Sequence, residues 1–207
     1  MKAFVKEYGV VVPMNQTNVD TDQIIPKQFL KRIERTGFGQ FLFFDDRFNE
    51  DGSLNPDFIL NKPGYEGASI LVAPSTFGIG SSREHAPWAL DDYGFRCVIS
   101  SKFGDIFFNN CYQNGMLPVV LPEETVQKII EKAEKTPGFK LHVDLEAQRV
   151  WDDDEEIVAQ FDIEPFRRHL LLNGLDDIGL TMEYEDSISS FESHRGKHGG
   201  VLSEVGD

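Results

Sequence analysis

Long apolar runs, cysteine and paired histidines are what this 207-residue chain has least of. No stretch approaches the ~18 consecutive apolar residues that a membrane-spanning helix needs. The N-terminus, Met1-Lys2-Ala3-Phe4-Val5-Lys6-Glu7, has charge where a secretion signal has its apolar segment, so a cytoplasmic protein is expected. Only two cysteines occur, Cys97 and Cys111, 14 positions apart. That is too few thiolates for an iron–sulfur cluster and the wrong spacing for structural zinc. Cys97 sits in the apolar run Phe95-Arg96-Cys97-Val98-Ile99 and reads as a small core residue, and a disulfide does not suit a reducing cytosol. The five histidines form neither HxH nor HExxH. No metal site is expected on this chain.

Basic residues are also in deficit: 20 against 35 acidic ones, for a formal charge of −15. Such a field repels nucleic acid and anionic lipid, and it also repels a small anionic substrate unless positive charge is gathered locally. Between Gln23 and Phe44 the balance reverses, with Glu34 alone facing Lys27, Lys31, Arg32 and Arg35. This is either a solvated helix face or an anion-attracting patch.

With 40% hydrophobic residues the chain can bury a single core. One domain over residues 1–191 is expected, followed by a Gly-, Ser- and His-rich disordered tail at 192–207, where His194 and His198 offer a weak metal tract. Phe4 to Val12 reads as a strand or hairpin around Tyr8-Gly9, residues 15–22 as a polar loop, and Pro26 as the start of a short helix towards Lys31. Residues 45–68 read as a long surface excursion. Ser69–Ala73, Phe95–Ser100 and Leu117–Leu121 are short apolar runs of buried-strand type. They alternate with helices predicted up to Tyr93, over Asp105–Gln113 and over Glu123–Lys135, whose Val126, Ile129, Ile130 and Ala133 share one face. From Lys140 the period shortens to two, predicting a β-hairpin or meander from Lys140 to Phe161, and Pro165 to Gly174 bounds a last helix. The pattern predicts an α/β chain with parallel strands and a β-rich C-terminal section.

The densest chemical signal is Phe77-Gly78-Ile79-Gly80-Ser81-Ser82-Arg83-Glu84-His85-Ala86-Pro87-Trp88-Ala89-Leu90, between a strand and a helix. The glycines permit a tight turn, and helix-start N–H groups favour an anion. Ser81 and Glu84 stand at capping-box spacing, yet Pro87 would then fall inside the helix. Either Ser81 caps the helix, or the helix starts only at Pro87 with Ser81 to His85 in the loop ahead of it. Both registers put the Ser-Ser-Arg group at the mouth of a strand-to-helix crevice. The third glycine of a dinucleotide fingerprint and the Gly-Lys-Ser/Thr of a P-loop are absent.

Gly80 to Leu90 closely resembles the signature of the aconitase superfamily's swivelling domain, in the form found in isopropylmalate dehydratase small subunits. Asn18-Val19-Asp20-Thr21-Asp22-Gln23-Ile24-Ile25-Pro26 resembles that family's N-terminal motif, and Phe161 to His169 with Asn173 to Thr181 its C-terminal motif. The likeness is collinear from about Tyr8 to Phe191. It implies a swivelling β/β/α domain with short β-rich additions. It makes Ser81 similar to the serine that, as alkoxide, takes a proton from substrate carbon. Ser82 and Arg83 resemble the neighbours that hold substrate carboxylate and stabilise that serine, and Asp22 an acid that orients the site. An Asx turn at Asp20-Thr21-Asp22 is the alternative for Asp22.

The resemblance also implies a substrate-specificity loop within Lys31 to Phe44. There Phe38, Phe41 and Leu42 either meet an isopropyl group or simply pack the loop, and Arg32 or Arg35 binds a second carboxylate. Many relatives have cysteine where this chain has Ile79, so that position is not chemically required. No cofactor is expected on this chain, whereas a [4Fe–4S] cluster is expected on a large partner subunit in a heterodimer. The implied reaction interconverts 2- and 3-isopropylmalate by dehydration and rehydration. A related hydro-lyase, of homoaconitate or methylmalate type, and a non-catalytic scaffold subunit remain open.

Overall fold

The short apolar runs form strands because each is flanked by turn residues and is too short to bury itself as a helix. The computed structural model describes residues 1–32, 35–182 and 184–195. Its strands are β1 Lys6–Pro13, β2 Val19–Asp20, β3 Ile70–Val72, β4 Phe77–Ile79, β5 Cys97–Ser100, β6 Leu117–Val120, β7 Lys140–Asp144, β8 Arg149–Trp151 and β9 Val158–Gln160. The helices are α1 Thr21–Ile24, α2 Phe44–Arg47, α3 His85–Tyr93, α4 Asp105–Gln113, α5 Glu123–Lys135, α6 Pro165–Asn173, α7 Asp177–Met182 and α8 Glu185–Arg195.

Seven strands form one sheet in the order β6-β5-β3-β1-β7-β8-β9, and β2 and β4 form a separate pair. The first four strands run parallel, and β7, β8 and β9 add an antiparallel meander. The parallel strands are buried on both faces, which accounts for their unbroken apolar character. Val11, Ile70, Val72, Cys97 and Ile99 enter one core with the buried face of α5. Val12, Leu71 and Val98 enter the other, with Phe77 of β4 and Ala86, Ala89 and Leu90 of α3. The layering is therefore the small β2–β4 sheet with its helices, the large sheet, and then α5.

Helices α4 and α5 have the bounds expected from sequence. Glu123 and Glu124 in the first turn of α5, and Lys132 and Lys135 in the last, suit its macrodipole. Pro165 opens α6 beneath a Glu164 side chain that accepts from the Phe166 and Arg167 N–H groups, and Gly174 closes it in the left-handed region.

Elsewhere the structure corrects the sequence reading. Of the strand or hairpin expected over Phe4 to Val12, the strand is the one that forms: β1 runs straight through Tyr8-Gly9, and a Cβ on Gly9 would overlap Ser69 Oγ. The loop 15–22 contains β2 and the start of α1. The helix expected after Pro26 is a single 3₁₀ turn, Lys27–Phe29. Part of the excursion over 45–68 goes inside, since Leu60, Tyr65 and Ala68 are buried. Residues 192–195 of the expected tail continue α8, whereas 196–207, with His198, lie outside the described residues.

Lys132 joins α5 to the β8–β9 turn through Asp152 at 2.5 Å and Glu156 at 2.7 Å. Asp152 is 1% exposed. Burial raises its carboxyl pKa, but Lys132 and the Ile157 N–H outweigh that and hold it below the ordinary value. A depressed folded pKa gives stability that is present above the unfolded value near ~3.9 and is lost as pH falls through the folded value. Asp152→Asn should therefore cost about 2 kcal/mol in urea unfolding at pH 7. It should also flatten the loss of stability below about pH 4; identical acid slopes in both proteins would count against this account.

Candidate active site

The Ser81-Ser82-Arg83 turn leaves the end of β4, and β4 is placed by a close approach of backbones. Gly78 has φ +76°, and a Cβ there would lie 2.2 Å from Phe107 Cγ on α4. A Cβ on Gly104 would lie 2.3 Å from the Gly78 carbonyl oxygen. No other residue fits either position without moving α4. Beyond β4, Gly80 turns with φ +92°.

Strand β2 pairs with β4 in parallel, Val19 with Phe77 and Asp20 with Ile79, with a register shift between Val19 and Asp20. This pairing brings the N-terminal motif to the serine turn. Asp20 caps α1 by accepting from the Gln23 N–H. Thr21 Oγ1 donates to the Ser81 carbonyl at 2.8 Å. Arg83 Nη1 donates to Asp22 Oδ1 at 2.5 Å and to the Ile25 carbonyl at 3.3 Å.

The Arg83 side chain is 11% exposed, whereas Asp22 remains about half exposed and Ser81 and Ser82 face solvent. Both of these hydrogen bonds use Nη1, so Nη2 and Nε keep donors for a carboxylate. A fixed guanidinium beside an exposed serine binds an anion and favours oxygen negative charge.

Helix α3 begins at His85, and its N-cap Glu84 makes no side-chain capping bond. The capping box of Ser81 and Glu84 does not form, and the serines lie in the loop ahead of the helix. Pro87 is then the third helical residue, where a backbone N–H has no intrahelical partner to lose. His85 packs edge-on to Phe38 and beside Trp88, with centroids 5.3 and 4.7 Å away. Burial lowers its pKa, with Arg83 assisting and Glu84 opposing.

The loop before Phe44 divides its residues. Phe38 and Leu42 are fully buried core residues in this chain. Phe41 is half-buried, stacked on Phe29 at 4.1 Å, with the Arg32 guanidinium 5.1 Å over its ring. Arg35 instead lies 5.2 Å over Trp88, so the two arginines serve different aromatic partners. Lys27, Lys31, Arg32 and Arg35 are all exposed. Phe38 and Leu42 pack in the core, where the backbone is pressed onto α3. A Cβ on Gly39 would lie 2.7 Å from Tyr93 N, and Gly39 N–H donates to Asp92 at 2.8 Å.

An aconitase C-terminal domain model matches residues 1–124, and a LeuD_N model matches residues 127–165. Residues 177–197 match the model for the C-terminal domain of the 3-isopropylmalate dehydratase small subunit. The 3-isopropylmalate dehydratase small subunit of Brevibacillus brevis is 55% identical over 195 residues, which is 94% of this chain and 100% of that protein. Its counterpart from Rhodopirellula baltica is 58% identical over 197 residues, 95% of this chain and 100% of its own length. The chain belongs to the 3-isopropylmalate dehydratase small-subunit family. A crystal structure of 3-isopropylmalate dehydratase from Methanocaldococcus jannaschii superposes with TM-score 0.66 at 21% identity, covering 90% of this chain and 99% of that one. The fold is the swivelling domain of the aconitase superfamily, as the motifs implied.

Thr21, Asp92 and the Ile25 carbonyl are the site-building groups that sequence reasoning did not single out. Thr21 lay inside a quoted motif, but Asp92 sits in the last turn of α3 without any local signal. Cys97 and Cys111 do not fit as ligands of the family's iron–sulfur cluster: both are fully buried, and burial pushes both thiols well above their ordinary value. Among the described residues no group of three or more His, Cys, Asp or Glu is arranged to hold a metal ion, and no helix is long and apolar enough to cross a membrane.

Thr21→Val keeps the shape of a buried side chain and deletes its bond to Ser81, so it should cost about 1 kcal/mol in urea unfolding. No loss would mean that water replaces the bond. In a proton NMR titration His85 should have its midpoint below 6.5. Its contribution to stability is then complete above that pH and is lost as pH falls through the folded value. A midpoint at or above 6.5 would contradict the burial.

Proposed function

We propose that this chain is the small subunit of 3-isopropylmalate dehydratase, serving leucine biosynthesis in the cytoplasm and active only with a large subunit. The observation that carries the reading is the exposed Ser81-Ser82 pair beside an Arg83 held by Asp22 and the Ile25 carbonyl. The relatives' names supply the substrate.

In this reading Ser81, as alkoxide, removes a proton from the substrate carbon adjacent to the hydroxylated one. A serine is a poor base at its ordinary pKa, and the nearby guanidinium favours its charged form. Ser82 and the remaining Arg83 donors hold one carboxylate, so the acidic carbon is presented to Ser81 Oγ. Asp22 fixes the Arg83 fork and keeps its charge beside the serine. Arg32 or Arg35 receives the second carboxylate, and the exposed basic cluster offsets the repulsion of a chain with charge −15.

Departure of hydroxyl calls for a Lewis acid, and that contribution belongs to the partner's iron–sulfur cluster. Proton loss and hydroxyl loss leave 2-isopropylmaleate. Return of the proton and of hydroxide, together one water, to the exchanged carbons then gives the isomer. The same geometry accommodates another hydroxy diacid, and the loop carrying Arg32, Arg35 and Phe41 would make that choice.

Mixed anaerobically with the large subunit and 3-isopropylmalate, the chain should raise the ultraviolet absorbance of the unsaturated intermediate, and neither protein alone should do so. Ser81→Ala should lower kcat by roughly 10²–10⁴ while leaving affinity between the two subunits unchanged. Unchanged turnover in that variant would favour a scaffold role, and turnover only of homoaconitate or a methylated malate would move the specificity.

A further inference from the structure

The last two helices are built as helices, yet none of their described side chains is fully buried in this chain. Helix α8 has Glu185 and Asp186 in its first turn, where the macrodipole favours acids. Tyr184 precedes it, and Tyr184, Ile188 and Phe191 fall at i, i+4 and i+7, a single apolar stripe. All three are exposed, Phe191 by 64%, as is every side chain described from 184 to 194. In α7, Ile178 and Met182 make a second i, i+4 pair, 75% and 56% exposed. A helix of 11 residues with four serines is marginal in water without tertiary packing. The family's C-terminal domain model nevertheless covers 177–197, and no side chain described in that stretch is buried within this chain.

Two observations identify what covers this face. A groove of about 780 Å³ runs from Ile178 of α7 and Leu175 past Phe166 and Tyr112 to Arg35 and Glu84, the residue that follows the Ser81-Ser82-Arg83 turn. Residues 175–195 also contain six acidic residues against one arginine, in a chain of charge −15, so a second copy would oppose like charge across the contact.

We infer that α7, α8 and this groove form the docking surface for the larger subunit that completes the active site, through a partner face that is apolar at its centre and basic at its rim. The inference rests on the function proposed above and adds where the partner sits. The exposed aromatic and aliphatic stripe supplies the buried centre of the contact, and its flanking acids supply the rim and the salt dependence.

The test uses the full chain and the purified iron–sulfur subunit, with affinity measured anaerobically by isothermal titration calorimetry. A Tyr184→Ser, Ile188→Ser, Phe191→Ser triple variant should keep the wild-type thermal midpoint, because these side chains are already in solvent. Its Kd for the large subunit should rise roughly 100-fold, with kcat restored at saturating partner. Raising salt should weaken wild-type binding. A variant that binds as tightly as wild type would overturn this inference and leave the proposed function standing. Sedimentation showing a wild-type homodimer that the triple substitution dissociates would also overturn it, assigning the face to a second copy. A wild-type chain that binds no large subunit would remove the functional reading and this inference together.

Discussion

The hydrogen bond from Thr21 Oγ1 to the Ser81 carbonyl closes a separation of 60 residues, and it can form only because β2 lies against β4. That pairing is two residues long on the β2 side, so its own ladder is weak. It holds because Gly78 and Gly104 let β4 settle against α4, and because Val19 and Phe77 are fully buried in the same core. Backbone bonds from Phe77 to Lys102 and from Gly104 to Phe77 hold the same strand from its other side. Asp22 and the Ile25 carbonyl reach Arg83 from the same short segment, so one packing arrangement sets both the serine backbone and the arginine head.

Charge follows the same logic. The chain as a whole repels anions, so the diacid recognition proposed above requires a few cations held in place. Arg83 is held by burial and by two acceptors, whereas Lys27, Lys31, Arg32 and Arg35 stand in solvent on the segment that joins α1 to the loop. In the proposed function the fixed arginine gives the geometry, and the exposed ones give the attraction. Anchorage of Gly39 on α3 through Asp92 ties the two sets together, because α3 starts where the serine turn ends.

Much of this was readable along the chain. The apolar period of α5, the Pro165 and Gly174 bounds of α6 and the alternation in β7 are local patterns, and each appears in the structure where the pattern put it. The three motifs were readable as well, and they led to the family. The start of α3 was ambiguous, because a capping box and a proline pointed to different registers. The helix starts at His85, after the capping-box register and two residues before Pro87, which leaves both serines free of capping.

Apolar spacing thus determined the α/β class, since it depends on near neighbours in sequence, and the resemblance of three motifs led to the family and singled out Ser81-Ser82-Arg83. Only the tertiary structure decided that Asp22 pairs with Arg83, that Phe38 and Leu42 are core while Phe41 lies beneath Arg32, and that Arg35 faces Trp88. Only it revealed a C-terminal helix with an uncovered apolar face. The physical reason is the same in each case: an apolar or charged side chain carries no mark of which distant surface it will meet, and burial is assigned when remote segments pack.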